Sequence, residues 1–156
     1  MADQKTYLSK EKHSELTKEL AFLKGTRRGE IAKQLEEAKA FGDLSENAEY
    51  HQAREAQALV ESRIRELEEL LKSVEIVSHH TSTTVVVGAT VTVEKEGEGD
   101  KKTYEVVGSE EADTKAGRIS LNSPLGIAML GKSKGDTFTF TAPSGKKVNY
   151  KILKIE

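Results

Sequence analysis

Two long helical patterns of nearly equal length, joined by a few residues, constrain this chain more than any other feature. The first runs from about Ser9 to Ala40 and the second from about Leu44 to Val74. In the first, Leu16, Leu20, Leu23, Ile31, Leu35 and Ala38 recur at three- and four-residue steps. In the second, Ala53, Ala56, Val60, Ile64, Leu67, Leu71 and Val74 do the same. So narrow a stripe is a coiled-coil seam rather than the broad face of a core helix. Helices joined by so short a connection fold back as an antiparallel hairpin. At 1.5 Å per residue each arm is roughly 45 Å long, which holds the turn at the end of a thin rod. Ser9 is placed to cap the first arm. Gly25 and Gly29 each weaken it by about 1 kcal/mol relative to Ala, so a bend is expected there.

The turn carries Gly42-Asp43-Leu44-Ser45-Glu46-Asn47-Ala48-Glu49-Tyr50. Asp43 to Glu46 has the form of a capping box, with Asp43 as N-cap and Glu46 reaching back from the third helical position. Acidic side chains also suit the positive end of a helix dipole. Helix stability does not ask for the cluster that follows, Asn47, Glu49, Tyr50, His51 and Arg54. Two carboxylates at the end of a rod point to chemistry delivered into a partner's cavity.

Beyond Ser78 the pattern changes. His79 to Thr84 is polar and poor in helix formers, and reads as a linker. Short β-rich runs follow at Val85 to Glu94, Lys102 to Val107, Arg118 to Leu121, Asp136 to Ala142 and Lys147 to Ile155. Phe138, Phe140 and Ala142 alternate with Thr137, Thr139 and Thr141, the pattern of a sheet with one wet face. Gly97 to Asp100 and Pro143 to Gly145 read as hairpin turns. Ser123-Pro124 reads as the start of one short helix ending at Gly131. The expected organisation is a hairpin domain over residues 1–78 with its acidic tip at 41–47, then a small α+β domain over 79–156.

Charge limits the partners. The chain carries 24 basic and 26 acidic residues, and residues 1–78 alone carry 13 and 16. Neither half has the basic excess of a protein that grips nucleic acid by its phosphates. With no cysteine there is no disulfide scaffold and no thiolate metal site. No apolar run reaches the ~20 residues of a membrane span and no signal-peptide core precedes the first arm, so a cytoplasmic protein is expected. Nothing in the sequence demands an oligomer, and a monomer is the default expectation. His79-His80 is read as solvated linker rather than as a metal pair.

The run GDLSENAEYHQAR, Gly42 to Arg54, resembles the signature of bacterial transcript cleavage factors of the Gre type, and within them the GreA group. The likeness extends through Phe22-Leu23-Lys24, Arg27-Arg28, Gly88 to Val93, Glu111-Ala112-Asp113, Ile119-Ser120, Asn122 to Gly126 and Leu130-Gly131-Lys132. It implies a coiled coil that enters the secondary channel of RNA polymerase, with an FKBP-like C-terminal domain docked on the channel rim. Asp43 and Glu46 match the family's tip carboxylates, which implies ligation of a Mg²⁺ shared with the polymerase and orientation of the attacking water. Mg²⁺ suits such a role because it takes one or two carboxylates and fills its shell with water and phosphate oxygens. Asn47, Tyr50 and Arg54, with Arg27 and Arg28 on the shaft, are then candidate contacts to the nascent RNA 3′ end. Asp113, Ser123 and Pro124 are candidate docking residues. The chain would activate the polymerase's own RNA cleavage and not be an enzyme itself. The alternatives are a channel binder that tunes polymerase without cleavage, and a structural adaptor. A prolyl isomerase is disfavoured, since its site would be aromatic-lined and this domain has no Trp and only Tyr104, Phe138, Phe140 and Tyr150, several of them needed for its core.

Overall fold

The computed structural model describes residues 5–43, 46–78 and 82–156. Leu44 with Ser45, and the linker's His79 and His80, lie outside the described residues. The chain divides into two compact units, one of His13–Ser73 and one of Met1–Lys12 with Val74–Glu156.

The helical unit is the expected antiparallel hairpin. Helix α1 (Lys10–Phe22) passes through a π-helical segment, Leu23–Arg27, into α2 (Arg28–Lys39), and α3 (Ala48–Lys72) returns. Leu16, Ile31, Leu35, Ala38, Ala53, Ile64 and Leu67 are buried along the seam. The π-helical segment has a cause in the sequence. Leu16, Leu20 and Leu23 recur as Ile31, Leu35 and Ala38 after fifteen residues, one more than two heptads allow. A π turn takes up one extra residue without breaking the helix, and Gly25 lies inside it. The irregularity expected near Gly25 is therefore a register correction. Arg63 pairs with Glu19, Arg28 with Glu61 and Lys24 with Glu68 across the arms.

The second helix starts four residues later than the sequence pattern indicated, at Ala48, and ends at Lys72. Val74 belongs instead to β2 (Val74–Val77), which pairs in parallel with β1 (Thr6–Ser9). Neither strand was expected, since four residues of TYLS and VEIV carry too little pattern to separate from a helix end. Parallel strands need a long crossover, and the whole hairpin is that crossover. Ser9 does begin α1 as expected: its Oγ accepts from the Lys12 N–H at 3.1 Å. Its own N–H and hydroxyl donate to the two oxygens of Glu111 at 2.8 and 2.6 Å.

In the same unit, β3 (Thr90–Lys95), β4 (Lys101–Val107), β5 (Arg118–Ser120), β6 (Thr137–Thr141) and β7 (Lys147–Ile155) form a sheet in the order β5-β4-β3-β7-β6. The strands are the five expected ones, except that the first begins at Thr90. Val85 to Ala89 instead form a turn, with Gly88 at φ +91°. Val85 exchanges backbone hydrogen bonds with Lys132 and Gly131 beyond α4 (Pro124–Met129). The core comprises Val85, Val91, Val93, Val106, Ile119, Met129, Phe138, Tyr150 and Ile152, among others. Phe138 is buried while Thr137, Thr139 and Thr141 face water, as the alternation required. The class is α+β, a coiled-coil hairpin with a sheet-rich domain. The residues of β1 and β2, assigned from the sequence to the hairpin domain, fall in the sheet-rich unit. One reason is Gly108, where a Cβ would stand 1.9 Å from the Tyr7 carbonyl oxygen.

Candidate functional site: the hairpin tip

The turn is shaped by an amide. At the end of α2 the Ala38 carbonyl is among the last carbonyls of the helix, and it accepts from the Phe41 N–H at 3.2 Å. Asn47 Nδ2 donates to it at 2.6 Å. Asn47 Oδ1 accepts from the Tyr50 N–H at 3.0 Å, with the Asn47 backbone extended at φ −88° and ψ 97°. One side chain thus caps the start of α3 and ties it to the end of α2. Asn47, and not Asp43, is the N-cap, and Glu46 precedes the helix instead of sitting at its third position. The reason is chemical: this turn needs a group that donates as well as accepts, and an ionised carboxylate only accepts. The sequence signal was present, as Asn is among the best N-caps, but Asp43 offered a competing one.

Asp43 and Glu46 are both exposed. The chain reverses ahead of them through Gly42, at φ +109°, a conformation that favours glycine. Among the described residues, no group of three or more Asp, Glu, His or Cys could hold a metal ion. The donor set does fit a Mg²⁺ completed by other oxygens, because two solvent-facing carboxylates meet its usual demand on protein.

The remaining tip residues have local partners. Tyr50 is half-buried against Ile31, Leu35 and Ala53. Its ring meets His51 edge-on at 5.8 Å between centroids. Arg54 Nη1 donates to Gln57 Oε1 at 2.7 Å. Arg27 pairs with Glu30 at 3.1 Å. Arg28 makes two parallel hydrogen bonds of 2.8 Å to the oxygens of Glu61. Those bonds raise the Arg28 pKa and hold the Glu61 carboxyl below the ordinary carboxylate range. Lys24, at 2.6 Å from Glu68, lowers that carboxyl too, first by hydrogen bonding and then by charge. Lys24 and Arg28 thus pair with carboxylates of the facing arm, and Arg27 with one on its own arm.

Phe41 was not among the expected site residues. It is 76% exposed, the most exposed of the large hydrophobic side chains among the described residues. It lines an open groove of about 510 Å³ with Arg27, Gln34, Glu37, Ala38, Glu49, Gln52, Ala53 and Ala56. An apolar residue beside a polar turn, out of step with the seam, was the signal available in the sequence.

The three expected docking residues serve local structure. Asp113 Oδ1 accepts from the Lys115 and Ala116 N–H groups at 3.2 and 3.4 Å, and the carboxylate lies 3.7 Å from Arg118. Ser123 Oγ accepts from the Gly126 N–H at 3.1 Å and donates to the Ser120 carbonyl at 2.7 Å, and Pro124 is the first residue of α4.

A hairpin with a carboxylate-bearing turn, followed by a sheet-rich domain, defines a class, and comparison with known families identifies it. Residues 6–76 match the N-terminal domain model of the GreA/GreB transcription elongation factors, and residues 80–156 match the C-terminal one. The chain belongs to the GreA/GreB family of transcription elongation factors. Within it the chain is of the GreA type. It is 46% identical over 142 residues to transcription elongation factor GreA of Anaeromyxobacter sp., covering 90% of this chain and 85% of that one. It is also 46% identical over 143 residues to GreA of Brucella canis, covering 90% of each. Among solved structures, GreA factor homolog 1 (Gfh1) of Thermus thermophilus aligns over 98% of this chain and 99% of its own, at 26% identity and a TM-score of 0.45. A GreA/GreB factor of Nitrosomonas europaea aligns over 59% of this chain and 78% of its own, at 26% identity and a TM-score of 0.43. No helix among the described residues is long and apolar enough to cross a membrane.

Proposed function

We propose that this elongation factor stimulates endonucleolytic cleavage of backtracked nascent RNA by RNA polymerase, and so rescues arrested complexes. The hairpin enters the secondary channel and presents Asp43 and Glu46 beside the RNA 3′ end. The observation that carries this reading is the division of labour at the turn. Asn47 makes the cap and the cross-link, so the two exposed carboxylates are not what starts α3. Asp43 and Glu46 would hold a Mg²⁺ in common with polymerase groups, and that ion would stabilise charge on the attacking and leaving oxygens. The carboxylates also accept hydrogen bonds from a water and fix its direction of approach. Cleavage itself belongs to the polymerase, and the factor completes a site it does not contain.

Asn47 holds the turn in the geometry that aims the carboxylates. Tyr50 and Arg54 line the first turns of α3 towards the RNA. Arg27 and Arg28 contact RNA only by giving up Glu30 and Glu61. The sheet-rich domain docks on the channel rim through the Asp113 and Ser123-Pro124 region, whose local hydrogen bonds fix the loop shapes offered to the partner.

The test is to make Asp43→Asn and Glu46→Gln and measure cleavage rate of a stalled complex against Mg²⁺ concentration, with polymerase binding by competition. The neutral amide lacks the anionic oxygen by which a carboxylate holds a Mg²⁺ completed by water and phosphate oxygens. Both variants are expected to keep wild-type melting and binding, lose most stimulation, and recover part of it at high Mg²⁺. Near-normal cleavage by both would refute the reading. Binding without any cleavage by the wild type would make the protein a channel binder that tunes polymerase.

A further inference from the structure

We infer that Phe41 is a stacking platform for the unpaired base at the 3′ end of the nascent RNA; this rests on the proposed delivery of the tip to that RNA end. A lone exposed apolar residue on a protein surface needs no explanation. Three observations set Phe41 apart. It is 76% exposed, while Tyr50, the aromatic among the candidate RNA contacts, is half-buried in the hairpin seam and engaged with His51. It stands two residues before Asp43, on a backbone fixed by the Phe41 N–H to Ala38 carbonyl bond of 3.2 Å and by the Asn47 amide on that same carbonyl. It also lines an open groove together with Ala38, Ala53, Glu37, Glu49 and Gln52.

The charges of that groove select its occupant. Arg27 is its one cation, already paired with Glu30, against the carboxylates of Glu37 and Glu49. A phosphate or an acidic peptide would be repelled. An uncharged planar ring with a polar edge fits: Phe41 offers it a face to stack on, and the Gln52 amide of the same groove offers its edge a hydrogen-bonding partner. A nucleobase has that chemistry, and every base has a face to stack, so the platform is tolerant of sequence. Stacking there would hold the terminal nucleotide beside the carboxylates, which makes Phe41 a contact residue for RNA and no participant in proton transfer.

The experiment uses full-length protein and stalled complexes carrying RNA with either an intact or an abasic 3′-terminal nucleotide. Phe41→Leu keeps apolar bulk without the ring face, and Phe41→Trp enlarges it. On intact RNA, Phe41→Leu should slow stimulated cleavage about tenfold, within the range of one lost base–aromatic stack, and Phe41→Trp should match or exceed wild type. On abasic RNA, wild type should fall to the level of Phe41→Leu. Melting temperature and competition for polymerase without RNA should not change in either variant. Equal cleavage of intact RNA by wild type and Phe41→Leu overturns the inference and leaves the proposed function standing. So does a loss by Phe41→Leu that persists on abasic RNA, or one matched by weaker binding to RNA-free polymerase, which would place Phe41 against polymerase protein. Failure of the wild type to stimulate cleavage of intact RNA overturns both.

Discussion

Replacing Asn47 separates the two bonds that hold the tip. Asn47→Ser keeps an N-cap oxygen but cannot reach the Ala38 carbonyl, so it loses one partly buried hydrogen bond, about 1 kcal/mol. Asn47→Ala loses that bond and the cap to Tyr50, about 2 kcal/mol together. Asn47→Asp keeps the cap, because Asp and Asn cap about equally well. However, it sets a carboxylate oxygen where the Nδ2 donor stood, 2.6 Å from a carbonyl oxygen. At neutral pH its cost should exceed that of Asn47→Ser. Below about pH 4 the introduced carboxyl is protonated and can donate, so the gap to Asn47→Ser should close. In a helical unit of this size, 1 kcal/mol shifts the midpoint by roughly 4–8 °C. The assay is thermal melting by far-UV circular dichroism at 222 nm, dominated here by the hairpin because α4 has only six residues. Amide exchange at Tyr50 reports the cap separately. The order expected at neutral pH is wild type, then Ser, with Asp and Ala lowest. An Asn47→Asp variant as stable as wild type at pH 7 would show that the amide bridge does not hold the turn.

Leu67, fully buried in the seam, should cost about 2–5 kcal/mol on replacement by Ala, whereas Leu59→Ala, at a site 73% exposed, should leave the hairpin melt nearly unchanged. The hairpin should also be acid-labile. Glu61 and Glu68 are held below their ordinary 4.5 by Arg28 and Lys24, so their contribution is complete above that value and fades as pH falls through the lowered pKa values. Melting against pH should show a decline below about pH 4.5, shallower in Glu61→Gln, and a flat profile would contradict the pairing. Gly108→Ala, whose Cβ would fall 1.9 Å from the Tyr7 carbonyl oxygen, should displace β1 and speed amide exchange at Thr6 to Ser9 while the five-stranded sheet stays protected.

Where a feature depends on near neighbours in sequence, the chain alone determined it. The seam from Leu16 to Leu67 could be read because burial on a helix repeats every turn, and the alternation of Phe138 and Phe140 with threonines because burial on a strand repeats every second residue. Ser9 and Ser123 could be read as caps because a cap bonds only two or three residues ahead. The Gre signature from Gly42 to Arg54 carried the family for the same reason, being contiguous. The tertiary structure decided what joins residues far apart. Asn47 caps α3 and at the same time donates to the Ala38 carbonyl, nine residues back across the turn, a second bond that an ionised Asp43 could not donate. Arg28 is engaged because Glu61 faces it from the other arm, thirty-three residues away. The four residues of β1 become a strand only when β2 lies alongside, with the whole hairpin between them in sequence. Local pattern records the period of burial, but it holds no record of which distant donor, charge or strand edge will satisfy a given group, and only the folded chain brings those together.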